Sequence, residues 1–330
     1  MAGSEQLKTL IESFSEGDDR RFFNAALQIA ASEARKGHNN VAYELKDLID
    51  KAKNRFSHNQ QSAVKTIPIS EPKRELKELL DVFQPRVNLS HMVLSPRLKA
   101  ALDGLILEQK KWDLLRKHNL SPRRKLLLTG PPGTGKTMTA QALAGELKVP
   151  VYIIRLDGLM SKYMGESITK LRLIFDAMQD HRAVYLFDEF DSIGGHRSSG
   201  QDIGEVKRVL NSFLINIEKD TSNSIIIAAT NLPDSLDNAL FRRFDEVIDF
   251  PLPSVDEIKT VITQITSPYQ FRPSLNMKKA VQAAESLNFS DIRRACEETI
   301  KEKILSGHDF LKPKSLITAL EKRKTTNVRE

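Results

Sequence analysis

The chain has 330 residues, of which 40% are hydrophobic and 28% are charged, and its formal net charge is +7. This composition is typical of a soluble globular protein with a sizeable core. No apolar run is long enough to cross a bilayer, and the first residues have neither the basic segment nor the apolar block of a secretory signal. The single cysteine, Cys296, excludes an internal disulfide framework, so we expect a cytoplasmic protein without a membrane partner.

The basic excess is spread along the sequence and is not gathered in one block. Two short clusters stand out, at residues 123–125 and 322–324. A mildly basic surface suits anionic partners, but it suits ordinary solubility equally well. The charge is therefore compatible with a nucleic-acid partner, but we do not expect nucleic acid to be the primary partner.

Residues 1–56 have the periodicity of three short helices. The helices are predicted over 5–14, 21–35 and 41–52. A bundle this short gains little stability by itself. We interpret it as a domain that docks a partner or substrate, and a helical appendage that only packs on the rest of the chain is the alternative. Residues 57–74 are polar, include Pro68 and Pro72, and are interpreted as a linker.

A phosphate-binding loop is predicted at Gly130–Thr137, where the sequence matches G-x-x-x-x-G-K-[ST]. The run 126–128 before it is typical of a strand, and 138–147 after it of a helix. The glycines let backbone N–H groups point at phosphate oxygens, and the helix N-terminus adds a positive dipole end. Lys136 can then reach the β- and γ-phosphates of a nucleotide, and Thr137 can bind Mg²⁺. The predicted nucleotide contacts in this loop are Pro132, Gly133, Thr134, Gly135, Lys136, Thr137 and Met138.

Another strand is predicted at 183–187, a short apolar run typical of a buried parallel strand. It ends in two carboxylates, Asp188 and Glu189. A carboxylate at the tip of such a strand can hold the Mg²⁺ of a bound nucleotide, which is the role predicted for Asp188. Glu189 can orient and polarise the attacking water. The alternative is an acidic turn without a catalytic role, and the phosphate loop in the same chain weighs against it.

Strands and helices alternate from about Lys125 to Phe250, within a predicted α/β subdomain of residues 75–251. Further strands are predicted at 151–155 and 225–227, with an amphipathic helix over 167–177. The alternation predicts an α/β fold, a P-loop parallel sheet with helices on both faces. The strand tips would place Thr134, Asp188 and Asn231 along one edge, where the ligand sites of such sheets lie.

The segment 252–330 has a purely helical pattern. This predicts an all-α subdomain after the sheet, in addition to the small helical domain before it. Its helices are predicted over 255–266, 275–287, 290–305 and 314–323. Asp291 lies at the start of one helix with Arg293 and Arg294 close behind it, and the sequence leaves open whether either arginine contacts nucleotide.

The sequence resembles the AAA+ ATPases, and within them the AAA group of protein remodellers. The resemblance runs from about Leu94 to Ile304, with its motifs in family order. The motifs are 130–137, 162–167, 188–193, 228–231, 236–240, 243–245, 250–253 and 289–292. It implies ATP hydrolysis with Mg²⁺, a helical lid formed by 252–330, and an adenine pocket that includes Val93 and Leu94.

The resemblance also implies catalytic roles for polar residues after the sheet strands. Asn231 matches the family's sensor, which holds the attacking water or responds to the γ-phosphate, although capping the turn before Pro233 is an alternative. Arg243 matches the arginine finger that reaches a neighbouring subunit's nucleotide, and Arg242 is the adjacent candidate. The alternative is a solvated basic pair. The chain departs from the family at Glu246, where many members have a second arginine, and this puts the two-arginine arrangement in doubt.

The loop that begins at Lys162 has a role only by resemblance. Lys162, Tyr163 and Met164 match the loop that lines the central pore of protein remodellers. An aromatic ring and a thioether can pack against almost any polypeptide, which suits a grip that tolerates many sequences. The alternative is that both apolar side chains fill a local core.

The resemblance therefore implies a homo-oligomeric ring, expected to be a hexamer, that acts on another protein. No protease motif is visible in the sequence, so a separately encoded peptidase is among the partners it could serve. The alternative is a nucleic-acid-associated ATPase of the helicase-loader or transposition-regulator type. A third possibility is an interaction module that uses nucleotide only as an assembly switch.

Overall fold

The computed structural model describes residues 79–85, 87–159, 165–194 and 203–327, together with the isolated positions 25, 26, 32 and 76. Apart from those positions, the predicted N-terminal helices, the linker and the loop 162–164 lie outside the described residues. The chain divides into two compact units, Met1–Ser70 and Glu71–Glu330, and every element named below belongs to the second. The domain boundaries predicted from sequence remain predictions.

Six strands form one sheet. They are β1 Leu80–Phe83, β2 Lys125–Thr129, β3 Val151–Ile154, β4 Val184–Phe187, β5 Ile225–Thr230 and β6 Glu246–Asp249. Their order is β1-β3-β4-β5-β2-β6, and all neighbours pair in parallel except β1, which runs antiparallel to β3 at one edge. The predicted parallel sheet is confirmed. No strand was predicted at β1, a four-residue strand in which only Leu80 is buried, or at β6.

The central strands are buried because both faces of the sheet are covered. Every residue of β4 and β5 is buried. In β2, Leu126 and Leu128 pack into the core on one face, while Leu127 packs into the core on the other. Since side chains alternate along a strand, one continuous apolar run supplies two cores.

Helices cover the two faces of the sheet. In chain order they are α1 Pro96–Lys110, α2 Trp112–Lys117, α3 Lys136–Leu147, α4 Leu156–Leu159, α5 Glu166–Asp180, α6 Asp191–Gly194, α7 Ile203–Lys219 and α8 Asn238–Phe241. One core joins the sheet to α5 and α7, and the other joins it to α1 and α3. In the first core the ring of Phe187 on β4 lies 5.0 Å from Phe213 and 6.3 Å from Phe175, centroid to centroid.

The carboxyl-terminal part is all-α, as predicted, and has its own core. Its helices, which we call the lid, are α9 Val255–Thr266, α10 Met277–Ala284, α11 Phe289–Leu305 and α12 Pro313–Asn327. Cys296 lies fully buried in this core, and burial raises the pKa of its thiol to about 12. Among the helices described, none combines the length and the apolar character that crossing a bilayer requires.

Candidate active site

The phosphate loop Gly130–Thr137 connects β2 to α3. Gly130 and Gly133 have φ angles of 134° and 72°, in the left-handed region that favours glycine. At Gly130 a Cβ atom would lie 2.2 Å from the carbonyl oxygen of Phe250, which directly follows β6. A side chain there would push the loop and the end of β6 apart, so the path of the chain requires glycine.

Lys136 is folded over this loop. Its Nζ donates to the carbonyl oxygens of Gly130 at 2.7 Å and of Pro131 at 2.8 Å. Burial lowers the pKa of the ammonium group, and the nearby carboxylates, Asp188 foremost, counter that effect. The loop therefore presents a poorly solvated positive charge beside its backbone, which suits a polyphosphate.

Two carboxylates lie beside the loop, at the end of β4. Thr137 Oγ1 donates to Asp188 Oδ2 at 2.6 Å, so the two predicted Mg²⁺ ligands are in direct contact. The backbone N–H of Glu189 donates to Asp188 Oδ1 at 3.0 Å. Glu189 is exposed and has a φ of 50°, a strained conformation that costs about 1–3 kcal/mol for a residue other than glycine. This backbone turn sets the two neighbouring carboxylates in different environments.

Asn231 is attached to the same carboxylate turn through Asp191. Asp191 Oδ1 accepts from the backbone N–H of Asn231 at 3.2 Å and from Thr230 Oγ1 at 3.0 Å. The backbone of Phe190 also donates to Ala229 O at 2.8 Å. The ends of β4 and β5 therefore form one hydrogen-bonded unit. The sequence analysis treated Asp191 only as part of an acidic turn, because its partners lie about 40 residues away in the sequence.

A cleft of about 390 Å³ brings these groups together, within the usual size range of small-ligand sites. Its polar wall consists of residues 132–138 with Asp188, Glu189 and Asn231, so all the predicted nucleotide contacts line it. The remaining wall is His91, Met92, Val93, Val261, Gln264, Ile265, Phe289, Ser290 and Arg293. Val93 lines the cleft as expected, whereas Leu94 packs into the core of the sheet.

Most of the remaining wall could not be found from the sequence. It comes from the turn before α1 and from the lid helices α9 and α11, and periodicity does not tell which helix face meets a cleft. The open question about the lid arginines has a partial answer, because Arg293 lines the cleft and Arg294 is not among its lining residues.

The lid contacts the phosphate loop directly. The backbone N–H of Ser290 donates to Gly133 O at 3.2 Å, and the side chain of Asn288 caps α11 by accepting from Asp291 N at 2.8 Å. A Cβ atom on Gly133 would lie 2.6 Å from Asn288 Oδ1. The tip of the loop is therefore packed against the first turn of α11.

The two candidate finger arginines lie outside this cleft. Arg242 and Arg243 are exposed, and neither belongs to the cleft wall. Arg243 Nη1 forms an ion pair with Glu218 Oε1 at 3.2 Å, at the end of α7. The lysine and arginine side chains that line the cleft are Lys136 and Arg293, whereas Arg243 pairs with a carboxylate outside it.

The basic cluster at residues 123–125 is largely neutralised. Arg123 forms ion pairs with Glu108 and with Glu246, each at 2.5 Å. Arg124 pairs with the buried carboxylate of Asp220. Glu246, where the chain departs from the family pattern, therefore has a structural partner in this cluster.

Among the described residues, no group of three or more His, Cys, Asp or Glu side chains is placed to form a metal site from protein ligands alone. Thr137 and Asp188 fit the donor set of Mg²⁺, which is commonly bound by one or two protein oxygens together with substrate phosphates. Lys162, Tyr163 and Met164 lie outside the described residues, so their predicted role rests on the sequence alone.

Comparison with known proteins gives a consistent result. Residues 126–252 match the family model described as "ATPase family associated with various cellular activities (AAA)". An uncharacterized AAA family ATPase of Sinorhizobium fredii is 33% identical over 97% of this chain and 95% of its own length. Proteasome-activating nucleotidases of Methanoculleus marisnigri and Saccharolobus islandicus are 32% and 31% identical over 69% and 75% of this chain, which spans 57% and 65% of their lengths. The FIGL-1 AAA domain has a similar fold, with a TM-score of 0.59 at 22% identity over 74% of this chain and 86% of that one.

Proposed function

Since the chain belongs to the AAA family of ATPases and is an ATP-hydrolysing enzyme, we propose that it forms a ring that remodels partner proteins. One observation carries the proposal: the cleft gathers Lys136, Asp188, Glu189 and Asn231 but neither candidate arginine. Arg293 enters the cleft from the lid helix α11, and an arginine supplied by a neighbouring subunit would complete a nucleotide site of this composition. The similarity to proteasome-activating nucleotidases supports a protein as the substrate, and a separately encoded peptidase as a partner.

The proposed roles within one protomer follow the geometry of the cleft. Lys136 and the backbone of the phosphate loop bind the phosphates of ATP. Thr137 and Asp188, whose oxygens lie 2.6 Å apart, would hold Mg²⁺, which would neutralise charge on the phosphates. Glu189 polarises the attacking water, and Asn231 helps to position it. The apolar wall between α9 and the turn before α1 receives the base.

Between protomers, we assign the finger role to Arg243, with Arg242 as the adjacent candidate. A guanidinium would stabilise the charge that develops on the transferring phosphoryl group. Its exposed position supports a contact with a neighbour, and a closed ring, expected to be hexameric, gives every site one such neighbour.

The remaining parts of the proposal concern residues outside the described segments. Lys162, Tyr163 and Met164 would line the axis of the ring and contact the polypeptide. Residues 1–56 would dock the partner, and 57–74 would link them to the ATPase part, with the cytoplasm as the proposed location. A nucleic-acid-associated ATPase is the alternative, and the ion pairs of Arg123 and Arg124 weigh against a basic groove at that cluster.

The substitution Glu189→Gln tests the assignment of the catalytic base. We expect ATP turnover to fall at least about 100-fold while ATP binding is retained, because the amide cannot take up a proton. Glu285→Gln, at an exposed carboxylate of the lid outside the cleft, serves as the control for a lost carboxylate. Turnover that stays unchanged in Glu189→Gln would show that the base is another group. The ATP-bound variant also allows a stably bound protein to be captured and identified.

Mixed rings test the shared site. We expect Lys136→Ala and Arg243→Ala subunits to be inactive separately and to regain part of the ATPase activity when they co-assemble, since one type of interface then contains an intact site. The same mixture with Arg242→Ala decides between the two arginines. Co-assembled rings without any recovery would contradict a finger supplied by the neighbour.

The substrate class is tested with Tyr163→Ala. We expect basal ATPase activity to persist and action on a captured protein substrate to stop, whereas Tyr269→Ala on the lid should change neither. Stimulation of the ATPase by DNA, without stimulation by protein, would favour the nucleic-acid alternative.

A further inference from the structure

One face of α1 and α2 has no role in ATP hydrolysis. Lys111 lies between the two helices with φ −103° and ψ 25°, so the helical path bends there. The backbone N–H of Lys111 donates to Leu107 O at 2.9 Å, and its carbonyl accepts from Leu115 N at 3.2 Å. Hydrogen bonds from residue i to residue i−4 thus continue across the bend, and residues three, four and seven apart share one face.

That face has leucines where a surface helix normally has polar residues. Leu107 and Leu114 are seven positions apart, and 52% of the surface of each is exposed. The residues that α1 buries lie on the opposite side of the helix, and they are Leu102, Leu105, Ile106 and Gln109. α2 itself contains no buried residue. Because the apolar stripe of a helix ordinarily faces the core, two leucines directed away from it indicate a contact outside the protomer.

Lysines flank these leucines. Lys110, Lys111 and Lys117 are exposed, three or four positions from a leucine of the stripe. Within the described part of the chain none of the three forms an ion pair with a carboxylate. Of the acids nearby, Glu108 is bound to Arg123, whereas Asp103, four positions before Leu107, and Asp113, between Lys111 and Lys117, are exposed. The three lysines therefore leave a small positive excess on this face. We call Leu107, Lys110, Lys111, Leu114 and Lys117 the leucine–lysine stripe.

We propose that the leucine–lysine stripe binds an acidic helix of a partner protein, in which a line of aliphatic side chains is flanked by carboxylates. The leucines would form the apolar centre of the contact and the lysines its charged rim. Nucleic acid would place phosphates over the leucines without an apolar contact. A bilayer needs apolar side chains that project beyond the ammonium groups, and here each leucine is half packed against the protein. None of the stripe residues lines the cleft, so the proposal does not depend on the roles proposed for the cleft residues.

Binding is measured on the full-length protein by the fluorescence anisotropy of a labelled peptide. The synthetic helical peptide has leucines in one line with glutamates on both sides, and a second labelled peptide has glutamines in place of the glutamates. We expect a saturable rise in anisotropy, at least about tenfold tighter binding of the glutamate peptide, and weaker binding at high salt.

Variants localise the binding. Leu114→Ser, and the double change Lys110→Glu with Lys117→Glu, should each weaken peptide binding at least about tenfold. Leu305→Ser, at a leucine with 87% exposure on the lid, is the matched control and should bind like the parent. Unchanged circular dichroism and basal ATPase activity establish that each variant is folded, which also separates this test from the proposed function. The proposal is wrong if the glutamate peptide does not bind, if both peptides bind equally, or if the stripe variants bind like the parent. Tighter binding to phosphatidylserine vesicles or to single-stranded DNA than to the peptide would also overturn it.

Discussion

Gly145 gives a sharp test of the packing beside the cleft, because helix propensity and the structure predict opposite signs. Gly145 lies within α3, where replacing glycine by alanine ordinarily stabilises a helix by about 0.5–1 kcal/mol. In this structure a Cβ atom at Gly145 would lie 2.3 Å from the carbonyl oxygen of Val87 and 2.8 Å from Asn88 Oδ1. Overpacking of this kind costs about 1–3 kcal/mol. We therefore expect Gly145→Ala to lower the free energy of unfolding by about 1–2 kcal/mol.

The assay is urea unfolding followed by circular dichroism, with two other helical glycines as controls. A Cβ atom at Gly104 would meet its nearest neighbour at 3.4 Å, on the flexible side chain of Arg123, and one at Gly204 would meet no atom of the described residues within 4 Å. Alanine at either position should be neutral or stabilising. The methyl group added by Gly145→Ala would displace the backbone at Val87 and Asn88. Because this segment leads to His91 on the cleft wall, we expect the affinity for ATP to fall as well. If Gly145→Ala is as stable as the parent while both controls behave as expected, the contact with Val87 does not exist in solution.

Three further outcomes follow from buried groups. Asp220→Asn should lower the free energy of unfolding by about 3 kcal/mol, because it leaves Arg124 without its buried counter-charge; Asp256→Asn, at an exposed ion pair, should cost less than about 1 kcal/mol in the same urea titration. Cys296 should react with a thiol reagent only on unfolding. Because the thiol's folded pKa of about 12 exceeds its unfolded value of about 8.5, its contribution to the free energy of unfolding should be present below about pH 8.5 and be lost progressively above it. Lys136→Ala should abolish binding of a fluorescent ATP analogue without unfolding the protein, and retained binding would refute the role of its ammonium group.

The sequence predicts those parts of the site that local chemistry determines. The phosphate loop requires left-handed glycines, and the apolar run before Asp188 has to be buried on both faces, so both features are visible in the sequence. The left-handed backbone of Glu189 is not visible, since nothing in a strand followed by two acids specifies it. β1 was missed for a related reason, because its four residues have no clear alternation and gain order from pairing with β3.

Contacts between distant segments are the other part that sequence reasoning does not reach. The hydrogen bond that Asp191 accepts from Thr230 on β5 joins residues 39 positions apart. The ion pair between Arg123 and Glu246 joins residues 123 positions apart. The same holds for the wall of the cleft formed by α9 and α11. A motif identifies which residues carry the chemistry, whereas the tertiary packing decides which surfaces lie opposite them.

The contact between the lid and the phosphate loop shows how one cleft can couple chemistry to movement. Gly133 O accepts from Ser290 N, and Asn288 occupies the space that a side chain on Gly133 would need. The same first turn of α11 contributes Phe289 to the wall of the cleft. A nucleotide bound in this cleft would therefore contact the loop and the lid together, and a shift of the loop backbone would either break the Ser290 hydrogen bond or carry α11 with it. Because α11 packs into the lid core through Ile292, Ala295 and Cys296, all of them fully buried, moving its first turn moves the lid as a body.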